Sequence, residues 1–287
     1  MRTRLQLTSP WSHKDWLPII LLSLISCVTV LFLCNEVEPS SQFTSYHQDQ
    51  IKTFQENLGD QDVSIVILGN SLARYGFYKA EKLESSLSKK LGKNVKVLTI
   101  YRSSGVFYDY KNLTESLLAL EPSLFIVQRD LLNTCYGTYT KKMIAVKYWF
   151  WKRFRLTSWS IHERNQYQEQ VNRELDRKTY NPHKWLFFAK LAVKTSYRFT
   201  LDSISRQTFD AFYKRATETR SQFLFVDIPR AEKAERVIFS EAPPVTKYPI
   251  AFQEPFDDQF FVDPVHLNAE GRKIASKWLT ELIKTTF

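Results

Sequence analysis

The sequence predicts an α/β fold in which a doubly wound parallel sheet carries helices on both of its faces. Short, largely apolar runs alternate with segments of helical periodicity, and this alternation is typical of parallel sheets. The chain has 287 residues, 44% of them hydrophobic, which is enough for one large or two small packed domains. Strands are expected at residues 63–68, 95–100, 124–128 and 222–228, and helices at residues 81–91, 107–120, 201–220 and 268–283.

Local sequence features set the ends of these elements. The β-branched run at residues 63–68 predicts the first strand, and the Gly69-Asn70-Ser71 sequence predicts the sharp turn that ends it. Leucines at helical spacing predict the helix at residues 81–91. Asn268 is the expected N-cap of the last helix.

The N-terminal segment contains residues 16–34, a run of 19 residues without a charged side chain. Such a run can cross a bilayer core as one helix, so we expect a transmembrane anchor. Basic residues precede it, which places residues 1–15 in the cytoplasm and the rest outside, in a periplasm or at a cell surface. A cleaved signal peptide, a lipoprotein lipidated at Cys27 and a buried helix are alternatives, and an uncleaved single-pass anchor is favoured.

Residues 35–60 are polar and predict a stalk, with a short helix over residues 46–58. The folded domain is then expected at residues 61–287, interrupted by a helical insertion at residues 134–200. Residues 141–200 hold 14 Lys/Arg and 4 Asp/Glu, so this stretch accounts for the net charge of +10, and it also holds 13 aromatic residues.

Interleaved basic and aromatic residues of this kind suit a membrane surface or an acidic ligand. An ordinary helical lid with solvated charges is the alternative. We do not expect a nucleic-acid partner, because the sequence holds no nucleic-acid-binding motif.

Three short segments follow predicted strands at their carboxyl ends, namely residues 69–71, 103–105 and 128–133. The carboxyl ends of parallel strands meet at one edge of the sheet, where open α/β sheets bind their ligands. We therefore expect these three segments to gather at one edge and to form the site.

Two sequence features are candidates for chemistry, namely Ser71 at the first turn and the pair Asp263 and His266 before the last helix. A serine hydroxyl becomes a good nucleophile only beside a base. In the Asp-x-x-His spacing the carboxylate can orient the imidazole and leave its other nitrogen free as a general base. The alternatives are that Ser71 only caps a helix and that the pair is a chance feature of a surface turn.

The Ile-Leu-Gly-Asn-Ser-Leu sequence at residues 67–72 resembles the first block of the SGNH/GDSL hydrolases, with Asn70 in place of the usual Asp. Residues 261–271 resemble the last block of that family, and Gly105 falls where the glycine of the second block belongs. The resemblance covers residues 65–285 without the insertion and implies an SGNH-hydrolase-like, flavodoxin-like three-layer fold. With the predicted anchor, the chain resembles a membrane-anchored member.

The resemblance also implies residue roles in ester hydrolysis or acyl transfer. Ser71 would attack the carbonyl group, His266 would take and return the proton, and Asp263 would orient His266. The backbone N–H groups of Ser71 and Gly105 would stabilise the oxyanion.

The third block of the family, Gly-x-Asn-Asp, is absent from this chain. The residues after the third strand read Gln128-Arg129-Asp130-Leu131-Leu132-Asn133, so Asn133 or the charge of Arg129 would have to supply the missing oxyanion donor. Loss of one such donor lowers the rate by roughly 10²–10³-fold, so a weak or inactive member is an alternative.

The sequence thus predicts an extracytoplasmic serine esterase that acts on O-acyl esters, O-acetyl among them, of an envelope glycan or lipid. An O-acyltransferase that uses the same residues and a non-catalytic SGNH-like scaffold are the alternatives. We expect no cofactor and no metal site, because no ligand cluster, phosphate-binding loop or dinucleotide fingerprint is present.

Overall fold

A computed structural model describes residues 16, 18–26, 41–102, 105–134, 200–201, 203–219, 221–229, 250–251, 256–262 and 266–287. The chain divides into two compact units, of which the first comprises Met1–Val37 and Thr138–Ser158 and the second comprises Glu38–Gly137 and Trp159–Phe287. In the first unit, the described residues 16 and 18–26 are helical. All the elements below belong to the second unit.

Within the described residues, the main sheet has five strands in the order β2-β1-β3-β6-β7, and every neighbouring pair in it is parallel. This order is that of the doubly wound flavodoxin-like sheet. A separate antiparallel pair joins β4 to β5. The strands are β1 (Val63–Gly69), β2 (Val95–Tyr101), β3 (Leu124–Gln128), β4 (Asn133–Thr134), β5 (Thr200–Leu201), β6 (Gln222–Val226) and β7 (Ile250–Ala251).

The described helices flank the sheet in the predicted alternation. The α-helices are α1 (Ser41–Glu56), α2 (Ser71–Gly76), α3 (Ala80–Leu91), α4 (Thr114–Ala119), α5 (Ser203–Glu218) and α6 (Ala269–Thr286). In the part of the chain that the structure describes, three 3₁₀ helices cover Phe107–Leu113, Arg129–Leu132 and Asp258–Phe260. The segment predicted as one helix at residues 107–120 is therefore a 3₁₀ helix that continues as α4.

Both faces of the sheet are covered, as predicted. All seven residues of β1 are buried, because alternate side chains point to opposite faces. Ile65 and Ile67 pack with α3 and α6 on one face. Val66 and Leu68 pack with α1, α4, α5 and the first 3₁₀ helix on the other face. Burial on both sides explains why the strand sequences are almost continuously apolar.

Helix α3 also protects the free edge of the sheet at β2. The backbone N–H groups of Val95 and Val97 donate to Ser88 Oγ at 3.0 Å and to Glu84 Oε1 at 2.8 Å. Glu84 and Ser88 lie one helical turn apart and therefore reach the strand together. An edge strand with its N–H groups occupied is a poor template for pairing with another chain.

The short helix predicted at residues 46–58 is present in a longer form, but it packs on the folded domain and is not part of a stalk. Residues Ser41–Glu56 form α1, and Ile51 on this helix is only 3% exposed, with Phe43 and Phe54 packed against the same core cluster. The helix is polar overall, but its core-facing residues are spaced as one helical stripe. The folded domain therefore begins near Ser41 and not at residue 61.

The predicted anchor and insertion fall largely outside the described residues. Within the described part of the chain, no helix is both long and apolar enough to span a bilayer. Of the predicted span, residues 17 and 27–34 lie outside that part, and the large apolar side chains described at residues 16–25 are exposed. Of the insertion at residues 134–200, only the two end residues are described, and they pair with each other across β4 and β5.

Candidate active site

The turn after β1 places Ser71 at the carboxyl edge of the sheet. Ser71 is the first residue of α2, and Asn70 is the N-cap, whose Oδ1 accepts the N–H of Leu72 at 2.9 Å. The interpretation of Ser71 as a capping residue is therefore wrong, because Asn70 performs that role. The hydroxyl of Ser71 is partly buried and makes no hydrogen bond with the residues that the structure describes.

Glycine is the only residue type that fits at position 69, at the end of β1. A Cβ added there would clash with the Cβ of Ala73, and it would lie 3.1 Å from Gln128 Oε1 and 3.3 Å from Tyr101 Cδ1. The tight turn into α2 thus depends on the absence of a side chain at position 69.

The carbonyl oxygen of Gly69 accepts two hydrogen bonds. Tyr110 Oη donates to it at 2.5 Å and the backbone N–H of Arg102 donates at 3.0 Å. Burial raises the pKa of the Tyr110 hydroxyl well above its usual value, so the group stays protonated and remains a donor. Tyr110 is not recognisable from the sequence as part of the site, because a buried tyrosine in a helix resembles an ordinary core residue.

His266 lies against the same short helix that begins with Ser71. Its imidazole packs edge-on against the Tyr75 ring, with ring centroids 5.1 Å apart and an interplanar angle of 90°. Tyr75 follows Ser71 by four residues, and residues at that spacing share one face of a helix. The first and last blocks of the predicted site are therefore adjacent in space. Asp263 lies outside the described residues.

The backbone around His266 is fixed by a short antiparallel bridge. The carbonyl oxygen of His266 accepts the N–H of Val262 at 2.9 Å, and Phe261 pairs with Leu267. Asn268 is the N-cap of α6, as predicted, and its Oδ1 accepts the N–H of Gly271 at 3.0 Å.

Gly271 explains the glycine in the last block. A Cβ at this position would clash with the backbone oxygen of Phe260, and it would lie 3.0 Å from Leu267 Cδ2. The start of α6 therefore packs directly on the 3₁₀ helix Asp258–Phe260. This close approach holds the segment that carries His266.

Two of the predicted oxyanion donors are engaged elsewhere in this structure. The N–H of Gly105 donates to the carbonyl oxygen of Arg102 at 2.9 Å, in the loop after β2. Arg129 forms a buried ion pair with Asp227 at the carboxyl end of β6. Asn133 lies in β4, and its backbone pairs with Leu201 in the separate two-stranded sheet.

The last residue of β3 and the two residues after it form a buried polar cluster together with Asp227. Gln128, Arg129, Asp130 and Asp227 have exposures of 0%, 3%, 5% and 7%. Gln128 Oε1 accepts the N–H of Asn70 at 2.8 Å, and Gln128 Nε2 donates to Asp130 Oδ2 at 2.9 Å. The carboxyl ends of β1, β2 and β3 thus meet, as the sequence predicts, but the side chain that reaches the Ser71 turn from β3 is Gln128.

His47 on α1 lies close to the same edge of the sheet. It is buried, it contacts Phe43 edge-on with centroids 4.5 Å apart, and Phe43 in turn packs against Tyr110. Burial lowers the pKa of His47 to about 4, an effect that a hydrogen bond with Gln50 partly opposes. Arg74 and Arg102 lower it further by their positive charges.

Among the described residues, no three His, Cys, Asp or Glu side chains are grouped so that they could hold a metal ion. No protein-family model and no curated protein matches the chain. The chain is similar to a solved structure from Bacteroides fragilis NCTC 9343 that is named "putative acylhydrolase", with 11% identity and a TM-score of 0.40. The similarity covers 83% of this chain and 96% of that one, and at this level it supports no conclusion about fold or activity.

Proposed function

We propose that the protein is an extracytoplasmic serine esterase of the SGNH/GDSL type, acting on O-acyl esters such as O-acetyl groups of an envelope glycan or lipid. In this proposal Ser71 is the nucleophile, His266 is the general base and Asp263 orients His266. The observation that carries it is the packing of His266 against Tyr75, on the helix that Ser71 begins.

The geometry of α2 supports this pairing of Ser71 with His266. Ser71 and Tyr75 lie on one helical face, and helical side chains lean toward the N-terminus, so Tyr75 leans toward the turn of Ser71. An imidazole that packs on Tyr75 is thus near the start of α2. Catalytic hydrogen bonds are often long before substrate binds, and the Ser71–His266 bond is expected to form in the substrate complex.

The chemistry needs only the groups named above and water. Ser71 Oγ attacks the ester carbonyl carbon while its proton passes to His266, and the resulting oxyanion is stabilised by the N–H of Ser71. His266 then gives the proton to the departing alcohol, which leaves an acyl-serine. Water attacks this second ester with the same proton transfers and releases the carboxylic acid and free Ser71.

The setting of the enzyme is part of the proposal. The uncharged run at residues 16–34 is proposed to be a single-pass anchor with residues 1–15 in the cytoplasm. The basic and aromatic residues of the insertion are proposed to contact a membrane surface or an acidic substrate. Both features favour esters at a cell envelope over small soluble esters.

A non-catalytic scaffold is a second candidate, and a specific observation favours it. The N–H of Gly105 already donates to Arg102, and Arg129 already pairs with Asp227. A site with a serine and a histidine but too few hydrogen-bond donors for the oxyanion would hydrolyse esters slowly.

Ester hydrolysis by the full chain in detergent micelles distinguishes these candidates. We expect release of p-nitrophenol from its acetate ester, with Ser71→Ala and His266→Ala at background. Ser85→Ala, at an exposed serine on α3, is the matched control and should keep full activity. If the wild-type rate equals that of Ser71→Ala, simple hydrolysis is excluded, and the scaffold or an acyltransferase that excludes water becomes the better account.

A further inference from the structure

The peptide group that joins Gly69 to Asn70 is held from two directions, immediately before the proposed nucleophile. Its carbonyl oxygen accepts Tyr110 Oη and the N–H of Arg102. Its N–H donates to Gln128 Oε1 at 2.8 Å. Three groups from outside the turn therefore fix the plane of one peptide.

Gln128 is the only side chain among these partners that approaches from β3. Its amide is fully buried, so it cannot touch a substrate. The N–H of Asn70 can only donate, so the amide oxygen must face it, and the amide nitrogen must face Asp130 Oδ2, 2.9 Å away. Asp130 thereby sets the orientation of Gln128, and Gln128 sets the orientation of the Asn70 peptide.

We infer that Gln128, held by Asp130, is a positioning residue for the Ser71 turn, in the place where the sequence led us to expect an oxyanion donor. The inference rests on the proposed esterase function. The plane of the Gly69–Asn70 peptide determines where α2 begins, and so where the hydroxyl and N–H of Ser71 point. A displacement of about 1 Å in such a group can lower a rate by roughly 10²-fold.

Four variants test this role against a merely structural one. Gln128→Leu removes the acceptor for Asn70 N–H, and we expect kcat to fall about 10- to 100-fold with KM unchanged. The ratio of its kcat to the wild-type kcat should not depend on pH. Gln128→Glu keeps the acceptor but sets two carboxylates side by side, which share one proton at low pH and repel each other once that proton is lost. Its kcat relative to wild type should fall as the pH rises, because the bridging proton is lost.

The double variant Gln128→Glu/Asp130→Asn restores one acceptor and one donor and keeps the total charge. We expect its kcat to exceed that of Gln128→Glu by about ten-fold at high pH and to lose the pH dependence, with Asp130→Asn alone as the control. Dividing each rate by the wild-type rate at the same pH removes the pH dependence that the variants share with the wild type. Melting temperatures identify any variant that fails to fold.

Two results would overturn the inference. In the first, Ser71→Ala is inactive while all Gln128 variants keep the wild-type kcat at every pH. In the second, the double variant is no better than the single ones. Hydrogen exchange of the Asn70 amide tests the same contact without activity: Gln128→Leu should speed it at least ten-fold, and unchanged exchange contradicts the inference even if the wild-type chain hydrolyses no ester.

Discussion

The imidazole of His266 meets the ring of Tyr75 at a right angle, with ring centroids 5.1 Å apart, and so joins the C-terminal segment to the helix of Ser71. Tyr75 is only 8% exposed, so its ring is a fixed surface for the histidine. Edge-to-face ring pairs contribute about 0.5–1.5 kcal/mol beyond the burial of their area. The contact is therefore strong enough to favour one position of the imidazole.

Substitution of Tyr75 tests this contact. Tyr75→Leu should lower kcat for ester hydrolysis about five-fold, because loss of about 1 kcal/mol of ring contact lets the imidazole occupy other positions. Tyr75→Phe keeps the ring and should stay within about three-fold of wild type. Equal activities of the two variants, at equal melting temperatures, would show that the ring does not position His266.

The glycine of the last block should be required for stability. Gly271→Ala places a Cβ against the backbone oxygen of Phe260, so we expect the free energy of unfolding to fall by about 1–3 kcal/mol in urea titrations. Gly59→Ala is the control, since a Cβ there meets only Asp62 at 3.4 Å, in ordinary contact. A Gly271→Ala protein as stable as Gly59→Ala would contradict the close packing at α6.

His47 should make the folded domain less stable in mild acid. Its pKa is lowered from 6.5 to about 4 in the folded chain, so below pH 6.5 the unfolded chain binds a proton that the folded chain does not. The contribution of His47 to the free energy of unfolding is fully present above pH 6.5 and is lost as the pH drops toward 4. The free energy of unfolding should therefore fall by about 2 kcal/mol between pH 7.5 and 5. His47→Leu should remove this part of the pH dependence, as measured by urea titrations at pH 7.5 and 5. If the free energy of unfolding of His47→Leu falls between these pH values as much as that of the wild type, His47 is not the source.

The ion pair of Arg129 with Asp227 should matter far more than pairs at the surface. Asp227→Asn leaves a buried guanidinium without its counter-charge and should lower the free energy of unfolding by about 3 kcal/mol. The control is Glu115→Gln, which breaks the exposed pair with Arg215 and should leave the denaturation midpoint unchanged. Equal effects of the two substitutions would show that the buried charges are not coupled as the structure indicates.

The sequence predicted most of the sheet because its strands are buried on both faces. Continuous β-branched runs such as residues 63–68 have few alternatives to a buried parallel strand, and the structure confirms this strand as Val63–Gly69. Asn268 is confirmed as the N-cap of the last helix. This role could be predicted because the cap is a local contact, in which the side chain accepts a nearby backbone N–H. The short helix predicted at residues 46–58 is confirmed within α1, but its packing on the core is not predicted, because a single apolar stripe is diluted in a polar average.

Only the part of the candidate site that depends on local motifs could be predicted from the sequence. Ser71 and His266 are recognisable because their residue types and local motifs indicate chemistry. The contacts of Gln128 with Asn70 and of Tyr75 with His266 join residues far apart in the chain, and neither residue type is unusual in a core. The engagement of Gly105 and Arg129 likewise depends on partners that only the folded chain brings near.

Covalent labelling by an alkyl fluorophosphonate tests the central proposal most directly, because a nucleophilic serine oxygen displaces fluoride from phosphorus and the adduct mimics the tetrahedral intermediate. We expect one adduct per chain, mapped by mass spectrometry to Ser71. The adduct should be absent in Ser71→Ala, retained in Ser85→Ala and formed much more slowly in His266→Ala. Labelling that is absent from the folded wild-type chain, or that persists in Ser71→Ala at the wild-type rate, would contradict a nucleophilic Ser71 activated by His266.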